Sequence, residues 1–203
     1  MLSSLHLNDL RHGTRIGLLG GSFNPAHEGH CHISRTALDR LALDRVWWVV
    51  SPQNPLKSID IVADFEQRLA YAKTLVHDRR IEVTDVERRL GTQYTIDTLR
   101  ALKRAAPHIN FVWLMGADNF IQLPQWREWT NIMSLVPVAV IARPGYHLRA
   151  GLSQAACRYG VNRLKSDDAA FLADAKPPAW TLIVAQLHPI SSTLLRDAAN
   201  IGR

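Results

Sequence analysis

The chain has 203 residues, of which 47% are hydrophobic and 21% charged, an ordinary balance for a globular domain with a substantial core. No uninterrupted apolar stretch exceeds five residues, as in 46–50 (VWWVV), far short of the roughly 20 that a membrane helix needs. Two cysteines, Cys31 and Cys157, cannot build a disulfide framework, and the first eleven residues lack the cationic start and apolar core of a cleaved leader, so a reduced, cytoplasmic setting is expected. The formal charge is +6, and with only five lysines, nineteen of the 24 cations are arginine. A basic excess of that kind suits nucleic acid, a polyphosphate ligand or mere solubility.

In chain order, short apolar runs alternate with amphipathic stretches. Residues 15–19 (RIGLL), 44–50, 80–86, 110–115, 136–142 and 180–185 read as strands. Residues 30–43, 64–76, 95–106 and 192–200 read as helices, the second opened by Asp64 with Gln67 three residues on, the pattern of a capping box. Residues 145–178 show no clear strand and read as irregular helix and loop. Strands alternating with helices of this length predict a single α/β domain over 15–203, a Rossmann-like doubly wound parallel sheet, preceded by an extension over 1–14. Ligands of such sheets bind beyond the carboxyl ends of the strands, where the strand order reverses.

The first strand runs into Gly20-Gly21-Ser22-Phe23-Asn24-Pro25-Ala26-His27-Glu28-Gly29-His30. Paired glycines permit left-handed backbone and close approach of a ligand, and a helix start attracts anions. His27 and His30 add two hydrogen-bond donors there. The loop is neither a dinucleotide fingerprint, which needs Gly-x-Gly-x-x-Gly, nor a P-loop, which needs Gly-Lys-Ser/Thr. Its histidines stand three apart, whereas a helical His-Glu-x-x-His zinc site needs four. Phosphate binding is the expectation, with no metal held by the protein.

Gly21-x-Phe23-x-Pro25-x-His27-x-Gly29-His30 resembles the signature of the nucleotidylyltransferase superfamily that carries His-x-Gly-His. Its second motif is matched by Ile190-Ser191-Ser192-Thr193-Leu194-Leu195-Arg196, which taken alone reads as a helix cap. Between the two, Ser51–Lys57, Phe65-Glu66-Gln67-Arg68, Glu87–Leu99 and Met115–Phe120 with Trp126 resemble the bacterial nicotinate-nucleotide adenylyltransferases. Where that family commonly has Gly-Pro-Ser-Tyr-Thr, this chain has Gly91-Thr92-Gln93-Tyr94-Thr95.

The resemblance implies adenylyl transfer from ATP to nicotinate mononucleotide in NAD biosynthesis, with Mg2+ carried on ATP. It implies catalytic roles for His27, His30, Lys57 and Arg196. ATP would be held by Gly20, Gly21, Ser22, Phe23, His27, His30, Gly116, Asp118, Ser192, Thr193 and Arg196. Nicotinate mononucleotide would be held by Asn24, Asn54, Lys57, Tyr94, Thr95, Trp126 and Arg143, with Trp126 as a plate for the pyridine ring. The partners expected are these small molecules, with no nucleic acid and no membrane. Two other readings compete: a nicotinamide-mononucleotide or phosphopantetheine adenylyltransferase of the same fold, and a nucleic-acid-binding module. The arginines are spread along the helices rather than set in a stripe among aromatics, which disfavours the last.

Overall fold

A computed structural model of the chain describes Leu7 and residues 10–52, 63–142 and 146–184. Among these residues seven strands form one parallel sheet: β1 (Arg15–Gly21), β2 (Arg45–Val50), β3 (Ile81–Thr84), β4 (Asn110–Gly116), β5 (Val138–Ala142), β6 (Arg163–Leu164) and β7 (Trp180–Val184). Their order is β3-β2-β1-β4-β5-β7-β6, so the direction of progression reverses between β1 and β4. The α-helices among the described residues are α1 (Glu28–Arg40), α2 (Phe65–Leu75), α3 (Val86–Leu90), α4 (Thr95–Ala105), α5 (Ala117–Gln122), α6 (Trp129–Leu135), α7 (His147–Gly151) and α8 (Gln154–Arg158); the helix expected over 192–200 lies outside them.

A parallel sheet covered on both faces needs near-continuous apolar strands, and these have them. Alternate residues divide between two cores. Leu18, Trp47, Phe111, Trp113, Val140 and Leu182 pack with Ile96, Leu99 and Leu102 of α4 on one face. Leu19, Trp48, Val112, Leu114 and Ile141 pack with Ala37 and Leu38 of α1 and Leu69 and Ala72 of α2 on the other. Among the described residues no helix is long and apolar enough to cross a membrane.

Two departures from the sequence reading are local. The strand expected over 80–86 closes at Thr84, and Val86–Leu90 form α3 with Asp85 as its N-cap. Residues 145–178 contain α7, α8, two 3-10 segments and the two-residue β6, which pairs in parallel with β7. A strand of two residues has no periodicity to read.

Candidate active site

The carboxyl ends of β1 and β4 meet at the point where strand order reverses, and the first loop leaves from there. Its glycines work differently from the sequence expectation. Gly20 and Gly21 are strand residues of β1, and the positive-φ glycines among the described residues are Gly13 and Gly91. A Cβ on Gly20 would stand 2.4 Å from the Trp113 ring, so an aromatic side chain on β4 occupies the space a larger residue would need. The left-handed turn falls on Phe23 instead, at φ 45°.

Phe23 is buried, stacked on Trp48 at 5.0 Å and tilted against His30 at 4.7 Å. Its ring is a floor under the histidine, and any contact with a ligand falls to its backbone. Asn24 is also buried, and its Oδ1 accepts from the Ala63 N–H at 3.3 Å, tying the loop to the approach of α2.

His27 is the N-cap of α1 and His30 its third residue. His27 Nδ1 accepts from the Gly29 N–H at 3.1 Å, and His30 Nδ1 accepts from the His27 N–H at 3.2 Å. A neutral imidazole has one donor and one acceptor nitrogen. With both Nδ1 atoms accepting, the proton of each ring belongs on Nε2. The rings lie 3.9 Å apart, so the two Nε2–H groups are neighbours at a helix N-terminus. Below them, Trp48 Nε1 donates to Ser34 Oγ at 2.7 Å, and Ser34 Oγ donates to the His30 carbonyl at 2.9 Å, which anchors the turn to β2.

Arg68 went unassigned in the sequence, although it lies in the resembling segment Phe65–Arg68. It is buried on α2 and donates only to carbonyls: Ala63 at 2.9 Å, Ser22 at 2.5 Å, Ser51 at 2.9 Å and Pro52 at 3.0 Å. One guanidinium thereby joins the loops after β1 and β2. Burial lowers its pKa. A run of backbone acceptors distant in sequence leaves no motif, which is why the role is illegible beforehand.

At the end of β4, Gly116 caps α5, and Asp118 folds back so that a Cβ on Gly116 would meet its Oδ1 at 2.5 Å. Trp126 is half-buried and edge-on to Trp113, with ring centroids 6.4 Å apart. The neighbouring Arg127 stacks its guanidinium on Tyr94, 4.7 Å from the ring centre. The predicted pyridine plate and the start of α4 are therefore brought to one place. Tyr94 is the N-cap of α4 and makes no side-chain cap, so the Thr95 and Ile96 N–H groups lack intrahelical acceptors.

Behind that helix start sits Glu87 on α3, 4% exposed. Its Oε1 faces Thr98 Oγ1 at 3.2 Å, and the Ser51 hydroxyl adds a further hydrogen bond. Burial pushes its pKa up to about 7 against the opposing pull of those hydroxyls. This carboxyl, too, carries no sequence signal beyond its place in the resembling segment.

Asn54, Lys57, Arg143, Ser192, Thr193 and Arg196 lie outside the described residues. Among the described residues, no group of three or more His, Cys, Asp or Glu could hold a metal ion.

A parallel sheet with a histidine-capped helix at its switch point defines an α/β domain suited to an anionic ligand, and the comparisons assign its class. The cytidylyltransferase-like family model matches residues 18–198. A protein of Parvibaculum lavamentivorans described as a probable nicotinate-nucleotide adenylyltransferase is 53% identical, over 91% of this chain and 92% of its own. A Caulobacter protein of the same description is 52% identical over 93% and 100%. The chain belongs to the nicotinate-nucleotide adenylyltransferase family. The fold is also shared with Plasmodium falciparum nicotinic acid mononucleotide adenylyltransferase complexed with NaAD, at TM-score 0.70, 18% identity and coverage of 91% and 83%.

Proposed function

We propose that the chain transfers the adenylyl group of ATP to nicotinate mononucleotide, giving nicotinate adenine dinucleotide and pyrophosphate. The observation that carries this is the pair of imidazoles whose Nδ1 atoms are consumed by the cap of α1, turning both Nε2–H groups into fixed donors at the switch point. A phosphate oxygen of the mononucleotide attacks the α-phosphorus, the bond to the bridging oxygen of the β-phosphate breaks, and pyrophosphate leaves. No covalent enzyme intermediate is needed, so catalysis is positioning and charge stabilisation.

In this reading His27 and His30 donate to the triphosphate oxygens. Gly20, Gly21, Ser22 and the Phe23 backbone border the same ligand. Lys57 and Arg196 neutralise charge on the transferring and leaving phosphates, with Ser192 and Thr193 beside Arg196. Asn24, Asn54 and Arg143 serve the mononucleotide phosphate, and Gly116 and Asp118 the adenosine. Trp126 stacks on the pyridine ring, and the first N–H groups of α4 receive its carboxylate. Mg2+ fits as a companion of ATP: Glu28, the acid of the first loop, is paired with Arg35, and this ion keeps most of its shell as water and phosphate oxygen. When bound it neutralises part of the triphosphate charge.

The test is pyrophosphate release with ATP and Mg2+, offering nicotinate mononucleotide, nicotinamide mononucleotide and phosphopantetheine in parallel. Turnover highest on nicotinate mononucleotide is expected. Turnover on phosphopantetheine alone overturns the reading.

A further inference from the structure

Glu87 is used by no step above, yet it is a buried carboxyl directly beneath the start of α4. Its surroundings allow a count of protons. The Thr98 hydroxyl is buried and has three neighbours: Tyr94 O at 3.3 Å, Thr92 Oγ1 at 2.8 Å and Glu87 Oε1 at 3.2 Å. A hydroxyl has one hydrogen and two lone pairs. Tyr94 O can only accept and already takes the Asp97 and Thr98 N–H groups, so the Thr98 hydrogen is shared between two acceptors, Tyr94 O and Glu87 Oε1; when it points to Tyr94 O, Thr98 accepts from the other two. Thr92 can donate. Glu87 can donate only as the acid. If Glu87 is a carboxylate, Thr98 turns its hydrogen to Oε1 and gives up Tyr94 O.

The second carboxyl oxygen, Oε2, is buried without a hydrogen-bond partner, a position that suits a neutral carbonyl oxygen far better than half of an anion. Among the described residues no ion pair compensates a charge there. From α2, Arg68 spends itself on carbonyls, including that of Ser51. Arg88 and Arg89 of α3 both pair with Asp85, the N-cap of that helix, and Arg88 also with Glu66. On α4, Asp97 and Arg100 engage Arg127 and Glu128. β2 offers no ionisable side chain between Val46 and Val50.

We propose that Glu87 is a positioning residue that acts as a carboxylic acid, donating to Thr98 and so setting Thr92 and the Tyr94 carbonyl at the segment that reads the pyridine carboxylate. The inference rests on the function proposed above. Its consequence is a specificity device. The neutral acid leaves the start of α4 free to attract the nicotinate carboxylate. Ionisation both redirects the Thr98 hydroxyl and places a like charge two hydrogen bonds behind the anion's site. Nicotinamide mononucleotide, neutral at that substituent, feels only the first effect. The raised pKa puts the change near neutral pH.

The experiment measures kcat and KM for both mononucleotides from pH 6 to 9 in the wild type, Glu87→Gln and Glu87→Ala, each checked for folding by its melting curve. The Gln amide can donate as the acid does but cannot ionise. The ratio of wild type to Glu87→Gln cancels titration of the substrate phosphate. Between pH 6 and 8.5 the KM for nicotinate mononucleotide in the wild type should rise about tenfold relative to Glu87→Gln, with kcat changing little, while the ratio for the nicotinamide compound moves less. Glu87→Ala should raise KM for nicotinate mononucleotide at every pH, with Glu87→Gln restoring the low-pH value to within about threefold. A pH-independent ratio, or a Glu87→Gln variant as impaired as Glu87→Ala at pH 6, overturns the proposal. Should the wild type turn over neither mononucleotide, the proposed function fails. The melting temperature of the wild type, falling relative to Glu87→Gln as pH rises through 7, still reads the buried proton on its own, and a constant difference overturns it.

Discussion

The loop from Ser22 to His30 and the segment from Glu87 to Thr98 both deliver hydrogen-bond donors to the carboxyl side of the sheet, but they are held in different ways. The first has a local centre, a cap closed within three residues over a ring floor supplied by Phe23, and is fastened to β2 through Ser34 and Trp48 and to α2 through Asn24 and Arg68. The second depends on a carboxyl and hydroxyls drawn from α3, α4 and the end of β2, with Glu87 and Thr98 buried and Ser51 half-buried. Local construction leaves a contiguous motif in the sequence and tolerates changes elsewhere. Distributed construction leaves no motif and makes each member matter to the others.

The largest effect should come from breaking the first region at its chemical end. His30→Ala removes one Nε2 donor and should lower kcat by about 10²–10³-fold with the cooperative melt retained. Near-normal turnover would detach the histidines from the phosphates. Arg68→Met breaks a buried link between the two loops and leaves four carbonyls without this donor. We expect a stability loss of about 3 kcal/mol in urea titration. An unchanged midpoint would mean those carbonyls find other partners.

Gly20→Ala should cost about 1–3 kcal/mol because the Trp113 ring fills the Cβ position. Combining it with Trp113→Leu should recover part of that loss, and strict additivity of the two would contradict the steric account. The linkage at Glu87 has a definite sign. Its pKa is raised from 4.5 to about 7 on folding, so the folded state holds a proton that the unfolded state has lost. The associated stability is present below about pH 4.5 and disappears as pH rises through 7, and Glu87→Gln should flatten that slope. Trp126→Ala should have the smallest effect on folding, raising KM for the mononucleotide about tenfold; a change confined to ATP would reverse the assignment of the two subsites.

The same contrast explains what was legible in advance. The parallel sheet and helices α1, α2 and α4 follow from alternating periodicity, because apolar strands and amphipathic helices are imposed by burial, whereas α3, α5 and α6 are too short to show a period. His27 and His30 were legible because cap and motif are one stretch of chain. The work of Gly20 was not: its need for glycine comes from Trp113, about ninety residues away. Arg68 and Glu87 were similarly hidden, since their partners converge only in three dimensions. Residues 145–178 escaped because helices of five residues and a strand of two are shorter than any period that marks them.

The central claim is that the cap of α1 presets two imidazole donors for a triphosphate. Nitrogen-resolved NMR of the His27 and His30 side chains, with and without a non-hydrolysable ATP analogue and Mg2+, tests it directly. Both rings should be in the Nε2–H form beforehand, and the Nε2 resonances should shift on binding while Nδ1 stays put. A resting Nδ1–H tautomer in either ring, or Nε2 signals indifferent to the nucleotide, would contradict it.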